Sequence, residues 1–276
     1  MDIYFRTKKE VICFCENLFT REKELELYWR QDKHDGNHIQ LASPLTSISI
    51  TKIAESLMIV YFSFHISKTL KDIVKNSFYF SNRVEIERII EHTLDMINDE
   101  KDEKGIHLRQ ETIHLLKDVL ELNKPLSMET MIRFQLKKVH PLFINIVGLA
   151  IDEFMREQAH QEFIHNVRIF MKRKPCKFEE IHVVQGETFL FFQANGKRLS
   201  MQELESLIQK EPLYMLGIPH TDKNLAPFVA LSPEKIYMYG DDPFEAKTQS
   251  IINIFQEKVT FQRMVHFPFS RYDEKT

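Results

Sequence analysis

The spacing of apolar residues along this chain changes character twice, and each change marks a different kind of structure. Over the first 45 residues the apolar runs are short: DIYF, ELELYW and NHIQLA read as strands, with EVICFCENLF as an amphipathic helix between the first two. Asp35-Gly36 stands where a hairpin would turn, because glycine takes up the required backbone without steric cost. From residue 46 to about 174 the period lengthens to that of a helix, predicting helices near 51–80, 83–98, 108–123, 127–138 and 142–173. Lys124-Pro125, His140-Pro141 and the charged run DEKDEKG at 99–105 fall between them as breakers. The last helix changes its apolar side. Ile144, Val147, Ile151 and Phe154 share one face while Phe163, Val167 and Phe170 lie roughly opposite, which predicts a bend or break near 156–162.

After KRKPCK the short period returns. IHVV and TFLFF predict paired strands about Gln185-Gly186-Glu187, Asn195-Gly196 predicts a turn, and LSMQELESLIQK a helix. Apolar NLAPFVAL is followed by a strand at KIYMY, a helix at PFEAKTQSIINIFQ and a short strand at VTFQ. Asp242 is the expected N-cap of that helix, with Pro243 at its first position and Glu245 at its third. Strand, helix and strand in this order imply a parallel crossover. The expected fold class is α+β: a small N-terminal α/β unit (1–45), a helical domain (46–176) and a C-terminal α/β domain (177–276).

Composition narrows the function classes. With 37 basic against 40 acidic residues the chain lacks the positive excess that tracks nucleic-acid phosphates, so nucleic acid is a disfavoured partner. Three cysteines, Cys13, Cys15 and Cys176, form neither an even disulfide framework nor a Cys-x-x-Cys pair, which points to a reducing cytoplasm. The charged N-terminal stretch MDIYFRTKKE predicts no export signal. The apolar run SLMIVYFSFHI at 56–66 falls short of the roughly 20 residues of a membrane span and reads as a buried helix. The seven glycines are too scattered for G-x-G-x-x-G or a Walker A loop, and neither G-x-S-x-G nor His-Glu-x-x-His occurs. These motifs therefore imply no cofactor and no catalytic set.

The candidate chemistry is sparse. Glu-x-x-His occurs as Glu111/His114, Glu157/His160, Glu162/His165 and Glu179/His182, and in a bundle core that spacing makes half of a carboxylate-bridged metal site. A helical wheel turns His114 and His165 away from their apolar stripes, and His182 falls in a predicted strand. Only His160 lands on an apolar side, where a hydrogen-bonded core histidine is the plainer explanation. Asp32, His34, Asp35 and His38 could hold a metal in the first hairpin, although a polar hairpin tip needs no ligand. Lys172, Arg173, Lys174 and Lys177 make a basic cluster suited to phosphate or an acidic partner, and equally to closing a helix at its C-terminus. Asp241 and Asp242 follow a strand end, where ligands bind in open parallel sheets.

The run EFIHNVRIFMKRKPCKFEEIHVV at 162–184, with LSPEKIYMYG at 231–240 and IINIFQEKVTF at 251–261, resembles the YtxC-like family of sporulation proteins. The resemblance implies a cytosolic protein of endospore-forming bacteria with a role in sporulation. It transfers no catalytic residue, because no reaction is assigned to the family. The expectation is a protein that binds another macromolecule, most simply another protein. The alternative is a small-ligand-binding or metal-dependent enzyme with a pocket between the helical and C-terminal units.

Overall fold

Alternation in DIYF and NHIQL turns Ile3, Phe5, Ile39 and Leu41 to one face of a sheet and Asp2, Tyr4, His38 and Gln40 to the other. The computed structural model describes residues 1–22, 25–32, 36–42 and 46–269. In it these segments are the antiparallel strands β1 (Asp2–Phe5) and β3 (Gly36–Leu41). β2 (Leu27–Asp32) pairs with the outer edge of β3, and the short β4 (Leu126–Ser127) runs parallel to β1. Gly36 has the positive φ, +80°, that the predicted hairpin turn requires, while Asp35 lies outside the described residues. Between β1 and β2, α1 (Lys8–Arg21) opens with a capping box in which Thr7 and Glu10 bond each other's backbone amides. Its Val11, Phe14 and Leu18 cover the apolar face of the sheet.

The helical segment departs from the predicted pattern in four places. The single helix expected over 51–80 is two helices, α2 (Ser47–Phe64) and α3 (Ile66–Asn76), separated at His65, whose φ of −123° is not helical. The His65 ring lies 2.8 Å from the buried Glu10 carboxylate, a long-range pairing that local periodicity does not encode. After α4 (Arg83–Asn98), α5 (Glu103–Glu121) begins five residues before the expected 108, because Asp102 caps it by accepting the Gly105 amide at 2.7 Å. Gly105 is thus inside a helix rather than ending a loop. A Cβ there would run into the Met96 carbonyl, so glycine permits α5 to pass close to the end of α4.

The last two departures lie at the end of the segment. The expected helix near 127–138 is an irregular coil of α6 (Met128–Thr130), a π turn (Met131–Gln135) and a 3-10 turn (Leu136–Val139). α7 then runs from His140 to Arg173 with no break at 156–162. Glu157, Gln158, Ala159, Gln161 and Glu162 are good helix formers, and neither glycine nor proline interrupts them. The reversal of apolar face instead reflects two separate cores, one holding Phe143, Ile146, Val147, Ala150 and Phe154, the other Ile164, Val167 and Met171. The chain accordingly divides into two compact units, Met1–Arg156 and Glu157–Thr276. α2 is long and apolar enough to cross a membrane by composition, with a mean hydropathy of 1.3. Here its Ile53, Leu57, Val60 and Tyr61 are buried in the first core.

In the second unit β5 (Phe178–Val184) and β6 (Leu190–Gln193) form the predicted antiparallel pair. α8 (Met201–Ile208) and the fully buried α9 (Ala226–Leu231) follow. β7 (Pro233–Gly240), α10 (Ala246–Phe255) and β8 (Val259–Arg263) then place β7 parallel to β5 and β8 parallel to β7, as the strand–helix–strand order predicts. The sheet order is β6-β5-β7-β8. Ile181, Val183, Phe191, Ile236 and Met238 share one core with residues of α7, α8, α9 and α10. Val184, Phe192, Tyr237 and Tyr239 face away from them, under the chain that follows β8.

Replacing Gly105 by alanine is expected to destabilise the N-terminal unit by about 2 kcal/mol despite alanine's higher helix propensity, because backbone has to move. Urea denaturation followed by circular dichroism measures this; an unchanged or raised midpoint would show that the α4–α5 crossing has slack.

Candidate functional site

Three places in the second unit bring polar chemistry together, and the first is the C-terminal edge of its sheet. Beyond Val184 the chain turns back into β6, whereas beyond Gly240 it continues into α10, so a crevice opens between the two exits. Gln185 organises it. Its Nε2 lies 2.7 Å from the Asp242 carbonyl, 2.6 Å from the Glu245 carboxylate and 2.9 Å from Thr248 Oγ1, and its Oε1 accepts the Asp242 amide at 3.2 Å. Gly240 is required beneath it, since any Cβ would occupy the space of the Gln185 side chain. Burial pushes the Glu245 carboxyl up, but hydrogen bonds from Lys247, Gln185 and Thr248 outweigh it and hold it below the ordinary range.

This network changes the role expected of Asp242. Asp242 does not cap α10, which starts at Ala246 with Glu245 in the preceding position. Gln185 holds the Asp242 backbone across the end of β5, and the Asp242 carboxylate closes a local turn by accepting the Phe244 amide at 2.9 Å. Asp241 is exposed beside it. The crevice has a volume of about 500 Å³, with Asp241, Asp242, Leu190 and Met264 in its wall. Phe244 and Val265, in the loops after β7 and β8, are 81% and 82% exposed. Gln185 was legible in the sequence only as a turn residue; its partners are about 60 positions away.

The basic cluster is divided by the fold. Lys172 and Arg173 are exposed, but the Lys174 ammonium is buried 2.5 Å from one oxygen of Glu211 and 2.6 Å from the Val229 carbonyl. Lys177 takes the other Glu211 oxygen at 2.5 Å. Burial lowers the Lys174 pKa, with Glu211 acting against it; burial raises that of Glu211, but its two lysine partners bring it below the ordinary carboxyl value. Two of the four cations therefore tie the end of α7 and the start of β5 to the segments around α8 and α9. They are not a free phosphate-binding surface.

None of the Glu-x-x-His pairs builds a metal half-site. His160 is exposed, contrary to its expected apolar placement, because residues 158–162 belong to neither core of α7. His165 is also exposed, and His114 pairs with Asp118 at 3.2 Å. In the first hairpin, His38 bonds Asp2 at 2.8 Å and stacks on Tyr4. His34, Asp35 and the Asp32 side chain lie outside the described residues. Among the described residues no group of three or more His, Cys, Asp or Glu side chains is placed to hold a metal ion.

His182 is the second place. It is 7% exposed on the helix-free face of the sheet, with Nδ1 2.9 Å from the Tyr239 hydroxyl and Nε2 3.6 Å from Glu180. Its ring stacks on Tyr237 and Tyr239, and Phe269 meets it edge-on at 4.9 Å between centroids. Gly196 makes room for Phe269, whose ring lies 2.7 Å from where a Cβ would stand. Burial lowers the imidazole pKa, against the pull of Glu180. Alternation within IHVV and KIYMY already sets His182 and the tyrosines on one face of their own strands. Only the pairing of β5 with β7 sets them side by side.

The third place is a pocket of about 250 Å³ between the start of β6, α8 and the loop before α9. Its floor is Phe189 and Phe191, both packed edge-on against Phe228, and its walls include Leu204, Ile208 and Pro227. The loop side carries His220, Thr221, Asp222 and Lys223, and α8 contributes Glu205 and Gln209.

Residues 51–260 match the sequence profile of the YtxC-like family. The chain is similar to the protein named "Uncharacterized protein YtxC" of Bacillus subtilis (strain 168), with 21% identity over 251 residues, 84% of this chain and 88% of that protein. No solved structure matches.

Truncating Glu211 to alanine is expected to cost about 3 kcal/mol, because it leaves a lysine ammonium buried without its counter-ion; a loss below about 1 kcal/mol in urea unfolding would mean that the lysines simply turn to solvent. His182 has a folded pKa below its ordinary value, so the unfolded chain takes up the proton first as pH falls. Its contribution to stability is present above about pH 6.5 and is lost as pH drops from there toward the folded pKa. Wild type should therefore lose more thermal stability between pH 7.5 and 5.5 than His182→Gln, and parallel melting profiles would contradict the assignment.

Proposed function

Given that the chain belongs to the YtxC-like family, we propose that it is a cytosolic sporulation protein that works by binding another protein rather than by catalysing a reaction. The observation that carries the binding reading is the crevice at the C-terminal edge of the second sheet. It is preformed, because Gln185 fixes both of its margins. Its carboxylates, Asp241 and Asp242, are exposed next to the exposed ring of Phe244 in the same loop. Apolar prongs beside unpaired charge form a surface suited to a partner with basic and apolar side chains. The split of the basic cluster supports protein over nucleic acid, since Lys174 and Lys177 are engaged with Glu211. Cys13 and Cys15, packed against the first core as free thiols, fit a reducing compartment.

The test is a deletion of the gene in its host, complemented with wild type or with the double variant Asp241→Lys, Phe244→Asp. Wild type is expected to restore heat-resistant spore counts and to co-purify with a stoichiometric protein from sporulating cells. The folded variant should do neither. Normal sporulation in the deletion strain, or full rescue by the variant, would overturn the reading.

A further inference from the structure

The pocket beside α8 is unrelated to the crevice and carries chemistry of its own. Phe189, Phe191, Leu204 and Ile208 present an apolar interior, already held in place by the packing of both phenylalanines on Phe228. The rim is equally fixed. One Asp222 carboxylate oxygen accepts the amides of Asn224, Leu225 and Ala226, and His220 Nε2 meets the Glu211 carbonyl at 3.2 Å. Glu211 is itself clamped by Lys174 and Lys177, so the loop that forms one lip cannot swing freely. A site of this kind binds without paying for its own ordering.

Size and charge narrow the occupant. At about 250 Å³ the pocket falls just below the range of roughly 300–1,000 Å³ typical of drug-sized ligands, so it suits a molecule about as large as a single amino acid. The interior requires an apolar body. The rim brings both signs of charge to the mouth: Glu205 from α8 and Lys223 from the loop, neither of them in an ion pair among the described residues. Asp222 is turned to the backbone amides, and Thr188, Thr221 and Gln209 add neutral hydrogen-bonding groups. An anion alone would satisfy Lys223 and face Glu205 unfavourably, and a cation alone would do the reverse.

We propose that this pocket binds a free hydrophobic α-amino acid, its side chain on Phe189 and Phe191, its ammonium toward Glu205 and its carboxylate toward Lys223. The protein would then report the supply of such amino acids through occupancy of its second unit, independently of any partner at the crevice.

Isothermal titration of the full chain with L-phenylalanine and L-leucine tests this, with L-alanine, L-aspartate, hydrocinnamate and phenethylamine as controls. Phenylalanine or leucine is expected to bind and to raise the melting temperature. Hydrocinnamate, which lacks the ammonium, and phenethylamine, which lacks the carboxylate, should each bind about tenfold more weakly, as should phenylalanine to Glu205→Gln or Lys223→Met. Met201, 46% exposed in the pocket wall, offers a variant that leaves the core untouched, and Met201→Trp should obstruct entry without lowering the melting temperature of the free protein. No binding of either amino acid to the folded wild type at about 10 mM, roughly tenfold above the upper end of the usual range of metabolite affinities, would overturn the proposal. Equal binding of hydrocinnamate or of phenethylamine, or indifference to both charge variants, would overturn the zwitterion assignment.

Discussion

Each sheet in this protein is covered by helices on one face only, and most of what is distinctive about the chain follows from that constraint. A strand buried on one side must alternate, so every second residue is committed to the core and the rest are left for another role. In the second unit Ile181, Val183, Ile236 and Met238 take the core positions. Their neighbours, His182, Val184, Tyr237 and Tyr239, gather on the opposite face, too apolar to be left to water. The segment after β8 resolves this by laying Phe267 and Phe269 across them. A buried imidazole results, neutral in preference to charged, with a tyrosine hydroxyl as its partner. The first sheet meets the same problem with polar residues instead, pairing half-buried His38 with Asp2 and stacking it on Tyr4.

Coverage on one side also decides where polar groups converge. Helices must return across a single face, so the loops that carry them there collect at the strand ends and beside α8. At the strand ends Gln185 fills the gap left by Gly240 and ties three segments together. Beside α8 the loop is held through Asp222 and through Glu211, whose carboxylate takes both lysines. The two places differ in kind: one is a shallow, acidic edge with exposed apolar prongs, the other a small apolar pocket with charge only at its mouth. That difference favours a macromolecule at the first and a small molecule at the second.

Secondary structure was legible wherever the deciding physics is local. The turn at Gly36, the antiparallel pairing of IHVV with the strand after it, and the strand–helix–strand order at the end are readable from neighbours in sequence. Family membership was legible as well, from the blocks at 162–184, 231–240 and 251–261, which fall almost wholly within the matched stretch 51–260. Where a residue answers to a distant partner, reading failed. Periodicity carried one helix straight through His65, which pairs with Glu10; it ended a loop at Gly105, which serves the α4–α5 crossing; it made Asp242 a cap although Gln185 had claimed its backbone.

The sequence by itself determined the α+β class, most strands and helices, and the kinship of the chain, because hydrophobic period, turn residues and sequence blocks are properties of neighbouring positions. Tertiary structure alone decided which polar residues are available for function. Lys174 looked like free surface charge and is a buried strut, His160 looked like a core histidine and is exposed, and Gln185 looked like a loop residue and is the hub of a crevice. The physical reason is common to all three: the availability of a polar group depends on whether folding has already satisfied it, and the group that does so can lie anywhere in the chain.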